Sequence, residues 1–172
     1  MGDQSDLFLS AVVYATDEAV PATLLKTLAL AKTHLVLAGR KAEIRDAAAD
    51  KGYHSNECVT WCDSMGVRTY IPERESRYHR RWTDKPPQEQ TAVYRNRRRV
   101  RAKRGQALGR LRGEYVERSF AHMCETGGAR RSRLRGLINV FKRYLITFFG
   151  ACVVYAGKEL IPNLRHSTLR AA

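Results

Sequence analysis

The spacing of apolar and polar positions changes several times along the chain, and each change marks an element. Leu7 to Tyr14 is rich in Leu, Val and Phe with little polar relief, which predicts a short, largely buried strand. After Pro21, residues Leu24, Leu25, Leu28, Ala31, Leu35 and Ala38 recur at helical spacing, and Gly39 marks where that helix ends. Glu43 to Asp50 predicts another short strand. Ser55 is placed to cap a helix that runs to Met65 and closes at Gly66, and Val67 to Ile71 predicts a strand stopped by Pro72. Strand, helix and strand in that order predict a right-handed βαβ unit with parallel strands. Good helix formers prevail from Gln88 to Arg104, after the Pro86-Pro87 break. Gly113 to Cys124 resumes an amphipathic pattern, with Tyr115, Val116, Phe120 and Met123 on one side. Leu134 to Tyr155 is the most apolar helical segment and is expected to close the core.

Charge changes this picture most. The 172 residues carry 31 Lys+Arg against 17 Asp+Glu, a net +14. That length suits one core, or one core with a basic appendage. Arginine dominates the excess, and its planar fork suits phosphate oxygens, so a polyanion is the expected partner and nucleic acid comes before an anionic membrane. The excess gathers between Arg74 and Arg112, where fourteen Lys+Arg face only Glu75, Asp84 and Glu89. One reading of this stretch is a solvated basic arm. The other is a nucleic-acid surface, with Tyr78, Trp82 and Tyr94 available for stacking. The apolar run Tyr144 to Ala156 is shorter than the ~20 residues a membrane crossing needs, so it reads as a buried helix. The N-terminus lacks the pattern of a signal peptide, and four cysteines in that context read as reduced thiols of a cytoplasmic protein.

Three constellations could carry chemistry. Asp6, Asp50 and Glu117 each stand at a strand end or within an apolar helical stretch. Oxygen-only ligands suit Mg²⁺ or Mn²⁺, and two such ions about 4 Å apart promote phosphoryl transfer. Spacing alone does not separate this set from the stray acids of a basic protein. His54, Cys58 and Cys62 fall at i, i+4 and i+8 on one helix face, a soft set that suits zinc but needs a fourth ligand, for which Cys124 is available although nothing in the sequence points to it. The competing reading is two core-facing cysteines and a loop histidine. A thiol nucleophile, Cys124 or Cys152 with His122 or His34, has no recognisable nucleophile turn.

Several blocks occur together in a telling order. They are Ala49-Asp50-Lys51-Gly52-Tyr53-His54-Ser55-Asn56, Gly66-Val67-Arg68-Thr69-Tyr70-Ile71-Pro72-Glu73 and Ala92-Val93-Tyr94-Arg95-Asn96-Arg97-Arg98-Arg99. Then come Val116-Glu117-Arg118-Ser119-Phe120-Ala121-His122, Glu125-Thr126-Gly127-Gly128 and Leu134-Arg135-Gly136. Together they resemble bacterial insertion-sequence transposases with a DDE catalytic domain, over roughly residues 45 to 150.

The resemblance implies an α/β, RNase H-like catalytic domain that cleaves and joins DNA strands at transposon ends with Mg²⁺ or Mn²⁺. It implies one partial domain over residues 1–172, incomplete at its N-terminus, with a basic insertion at 73–112 before the catalytic helix and a loose tail at 157–172. By position, Asp50 matches the second catalytic aspartate and Glu117 the catalytic glutamate. Asp6-Leu7 resembles the first aspartate, and all three would be metal ligands. Arg95, Arg97, Arg98, Arg99, Arg112, Arg118, Arg130 and Arg131 are the candidates for holding DNA. Cys124 stands seven residues after Glu117, where many relatives have lysine. Expected partners are the transposon ends and target DNA, with no membrane and room for a homodimer, in a cytoplasmic, nucleoid-associated setting. A rival expectation is a catalytically dead remnant that still grips nucleic acid, and a weaker one is a basic RNA-associated protein without transposon ancestry. A sheet lacking strands would expose edges and leave the chain marginally stable.

Overall fold

A computed structural model describes residues 9–14, 17–75, 84–125, 128, 130–131 and 133–149. The chain divides into two compact units, one spanning Tyr14–Glu114 and one formed by Met1–Val13 with Tyr115–Ala172.

The first unit is built around a βαβ element, as the punctuation of the sequence predicts. Helix α1 (Val20–Leu37) opens on Pro21, whose missing N–H costs nothing in a first turn, and Gly39 follows its end at φ 65°, a left-handed position that favours glycine. Strand β1 (Asp46–Ala48) leads into a single 3₁₀ turn, Lys51–Tyr53. Helix α2 (Asn56–Ser64) is capped by Ser55, whose Oγ accepts the Cys58 N–H at 3.0 Å, a bond worth about 0.5–2 kcal/mol. Strand β2 (Arg68–Tyr70) then pairs with β1 in parallel, with Asp46 opposite Arg68, Ala47 opposite Thr69 and Ala48 opposite Tyr70. Cys58, Cys62 and Ile71 form the buried centre, covered by Leu24, Leu25 and Leu28 of α1 and by Ala49, Tyr53, Trp61 and Val67. By length and composition alone α1 is apolar enough to cross a membrane, yet it places those three leucines on the core.

The stretch expected as a basic insertion supplies the next layer. Helix α3 (Pro87–Arg101) lies inside it, and Ala92, Val93 and Asn96 of that helix are buried, so this part is no solvated arm. Asn96, 1% exposed, donates its Nδ2 hydrogen to the Ile71 carbonyl at 2.8 Å and accepts the Ile71 N–H on Oδ1 at 3.2 Å. One side chain thus does for Ile71 what a neighbouring strand would do. Ala102, in an extended conformation, separates α3 from α4 (Lys103–Glu125). A Cβ on Gly105 would lie 2.0 Å from the Arg99 carbonyl oxygen, so only glycine allows this elbow.

Two expectations need correction. Of the strand expected at Leu7 to Tyr14, residues 9–14 are described and have no regular structure. Among the described residues the sheet has two strands, and Tyr14 is held by its hydroxyl to the Thr23 carbonyl (3.2 Å) and Thr27 Oγ1 (3.1 Å) instead of by a ladder. The apolar C-terminal segment is helical over residues 137–149 (α5), but Ile138, Ile146 and Phe149 are exposed there, so these residues do not close a core. Residues 7–8, 150–155 and the tail at 157–172 lie outside the described residues.

The Asn96 contact sets a test. Asn96→Ala leaves a buried N–H and a buried carbonyl unpaired and should cost about 2–5 kcal/mol. Asn96→Asp keeps the volume but turns an acceptor toward the Ile71 carbonyl, so it should be comparably damaging. Urea unfolding measures both, and a loss under 1 kcal/mol (about a fivefold change in the folding constant) in both variants would refute the role.

Candidate functional site

Asp50 stands two residues beyond β1, at the carboxyl end of a parallel strand, where α/β folds place their chemistry. Its backbone is extended (φ −71°, ψ 160°), and its carbonyl accepts the Tyr53 N–H at 3.0 Å, closing the 3₁₀ turn. The side chain makes no capping hydrogen bond in that turn, and it is 57% exposed. Arg112 of α4 brings Nη2 to 3.8 Å from Asp50 Oδ1. Glu117 is also exposed, on α4, and belongs to the other unit. Asp6 lies outside the described residues. Among the described residues no three His, Cys, Asp or Glu side chains gather to hold a metal ion. The exposed Asp50 carboxylate is a hard oxygen donor, of the kind that suits a divalent cation of the Mg²⁺ type.

The soft constellation is not a metal site. Cys58 and Cys62 are buried together in the core, while His54 faces Glu73, its Nε2 4.0 Å from Glu73 Oε1. The hydrogen bond to Cys58, reinforced by burial, pushes the Cys62 thiol well above the ordinary range, which leaves it inert. Cys124 is half-buried, and Cys152 and the side chain of His122 lie outside the described residues.

Most of the candidate DNA-binding arginines on α3 have acidic partners. Arg95 Nη1 lies 2.9 Å from Asp63 Oδ2, and Arg99 Nη2 lies 3.4 Å from the other oxygen of the same carboxylate. Arg97 grips Glu73 through Nε and Nη2, and its guanidinium stacks 5.3 Å from the Tyr94 ring centre. Arg98 is exposed and makes no ion pair among the described residues. Arg118 stacks on Tyr115 at 5.0 Å, and Arg130 and Arg131 are exposed.

Sequence reading missed the acids that organise these arginines. Asp46, opposite Arg68 in the strand register, takes 2.9 Å hydrogen bonds on Oδ2 from both Arg68 and Arg104. The available signal was the Asp46–Arg68 charge pair on adjacent predicted strands and the i, i+4 spacing of Arg95 and Arg99. Burial alone would raise the Asp46 and Glu73 carboxyls. The guanidiniums of Arg68 and Arg104 at Asp46, and of Arg97 at Glu73, outweigh burial and hold both below the ordinary carboxylate range. His54, with a side chain only 9% exposed, is lowered chiefly by burial, with Glu73 opposing and Arg97 assisting.

The sequence matches the transposase DDE domain family over residues 2–152. The chain belongs to that family, which makes a transposase function and a DNA substrate the general setting for its site. Domains of this family generally use divalent metal ions. No curated protein and no solved structure matches the chain.

Three of the shifted groups, His54, Glu73 and Asp46, determine how stability responds to acid. His54 is lowered in the folded state, so below its ordinary value of 6.5 the unfolded chain takes the proton more readily and stability falls. Glu73 and Asp46 are lowered too, so their stabilisation is present above 4.5 and 3.8 and is lost as pH drops through and below those values. Melting temperature should therefore decline in two steps on acidification. His54→Gln should remove the step that begins near pH 6.5 and keep the lower one, and a wild-type curve flat from pH 7 to 5 would contradict this.

Proposed function

We propose that the chain is a transposase catalytic domain of RNase H-like type, with Asp50 and Glu117, together with Asp6, as the carboxylates that hold a divalent cation. The observation that carries the reading is Asp50: an exposed carboxylate, free of capping bonds, at the carboxyl end of a parallel strand inside the family match. Bound there, a divalent cation supplies activation of a water or 3′-hydroxyl and neutralises the leaving oxygen. The chain's own contribution is to fix the Asp50 turn and to hold the DNA backbone. Asp50 is presented by a turn whose far end, His54, is buried against the Glu73–Arg97 pair. Phosphates are held by arginines without a committed carboxylate, and Arg98, Arg130 and Arg131 fit that role. The DNA in question is a transposon end and its target.

A second reading, a chain that grips DNA but has lost strand cleavage, draws on the irregular conformation of residues 9–14, where the first aspartate's strand was expected. Nicking of supercoiled DNA with Mn²⁺ separates the two. Nicking by the wild type that Asp50→Asn lowers by about 100-fold or more supports the catalytic reading, since removal of one essential group commonly costs that much. Salt-sensitive DNA binding without nicking supports the second.

The arginines sort by their partners. Arg98→Ala should reduce the slope of log affinity against log salt by about 1, the loss of one phosphate contact, without changing stability. Arg97→Ala should instead lower the melting temperature, because it strands Glu73 beside buried His54. The reverse pattern would remove the distinction between a fold-holding and a DNA-holding arginine.

A further inference from the structure

We propose that Arg112 guards the Asp50 carboxylate in the metal-free protein and passes to a DNA phosphate when a divalent cation takes that carboxylate, so that metal and DNA bind cooperatively. The proposal rests on the reading of Asp50 as a metal ligand. Among the described residues Arg112 makes the only ion pair with Asp50, and it lacks the hydrogen bonds that fix the arginines at Asp46 and Glu73. At Asp46 the guanidiniums are hydrogen-bonded at 2.9 Å, and at Glu73 the grip is two-pronged. At Asp50 the approach is 3.8 Å, beyond hydrogen-bond reach, between a carboxylate 57% exposed and a guanidinium 33% exposed. Charge holds this contact, with no fixed bond geometry to resist its exchange.

The exchange follows from electrostatics. A guanidinium and a dication cannot both neutralise one carboxylate at close range. Once the ion is bound, the charge facing Arg112 changes from −1 to +1 and attraction becomes repulsion. Arg112 is then left at the site with its two-pronged donor face free, and a phosphate oxygen is the ligand that face suits best. Position favours the same outcome. Arg112 stands five residues before Glu117, so a phosphate it holds is close in sequence to the second proposed carboxylate. Linkage makes the coupling reciprocal: DNA that draws Arg112 away should raise the affinity of Asp50 for the ion.

The test uses Ca²⁺ as the ion and a fluorescein-labelled DNA duplex as the polyanion, at constant ionic strength. Calorimetry reads Ca²⁺ binding to the full chain, and anisotropy reads DNA affinity in Ca²⁺ and in EDTA. In the wild type Ca²⁺ should tighten DNA binding. In Arg112→Gln that gain should shrink by about 1.5- to 5-fold, and the affinity for Ca²⁺ without DNA should rise by the same factor, the size expected of one exposed ion pair. Arg112→Lys, which keeps the charge, should retain most of the coupling. Asp50→Asn should lose Ca²⁺ binding and bind DNA in EDTA more tightly than the wild type does. If Asp50→Asn abolishes Ca²⁺ binding but the gain is the same in Arg112→Gln as in the wild type, the guard is overturned and Asp50 as ligand survives. If Asp50→Asn binds Ca²⁺ as the wild type does, both the ligand assignment and the guard are overturned.

Discussion

The fold of the first unit depends on Asn96 grasping the backbone of Ile71. Among the described residues the sheet has two three-residue strands, and a two-stranded pair of that length is not stable alone in water. Ile71 is the fully buried residue at the end of β2, and its N–H and carbonyl would be costly to bury unpaired. The Asn96 amide satisfies both with one rigid group, and in doing so it fixes the height of α3 against β2. Val59 and Val93, fully buried on α2 and α3, then fill the space the docking creates. A third strand is replaced by a helix carrying one amide in the right place.

That docking also sets where the arginines point. Asn96 faces the sheet, so Arg95 and Arg99 flank it on the side that meets Asp63 of α2, and Arg97 reaches Glu73 just past β2. The elbow at Ala102 and Gly105 then turns the chain into α4, where Arg104 closes on Asp46. Three acids spread over β1, α2 and the segment after β2 are each met by a guanidinium from α3 or the start of α4. A helix that looks like a block of positive charge in one dimension is a set of specific clamps in three.

The contrast explains what was and was not legible in the sequence. Helices α1 and α2 and the parallel pairing of β1 with β2 were readable because local signals punctuate them: Pro21 and Gly39, Ser55 and Gly66. Asp50 was readable because a strand, a turn and a capping serine follow one another within a few residues. The Asn96 contact was not, since it joins residues 25 apart and sits within an arginine run whose composition suggests solvent. An apolar run such as residues 9–14 reads as a strand from composition, but a strand also needs a neighbour to share its hydrogen bonds, and no local signal supplies one. Exposure of Ile138 and Ile146 on α5 was equally beyond reach, because apolar periodicity reports a face and not what covers it.

A chain with net charge +14 must hold a polyanion without letting that polyanion pull its fold apart. The ion pairs resolve the conflict by grading their exchangeability. Arg97 and Glu73 are both largely shielded, two-pronged and backed by His54, so a phosphate offers Arg97 little that it lacks. Arg98, one residue on, is exposed and makes no ion pair among the described residues. Arg112 lies between these extremes, paired but only by charge at long range. Salt screens exposed contacts far more than shielded ones, so rising ionic strength should weaken the exposed pairs first while the Arg97–Glu73 clamp persists. Binding and folding can then draw on the same residue type along one helix because burial and geometry, and not sequence position, decide which arginines are free to change partners.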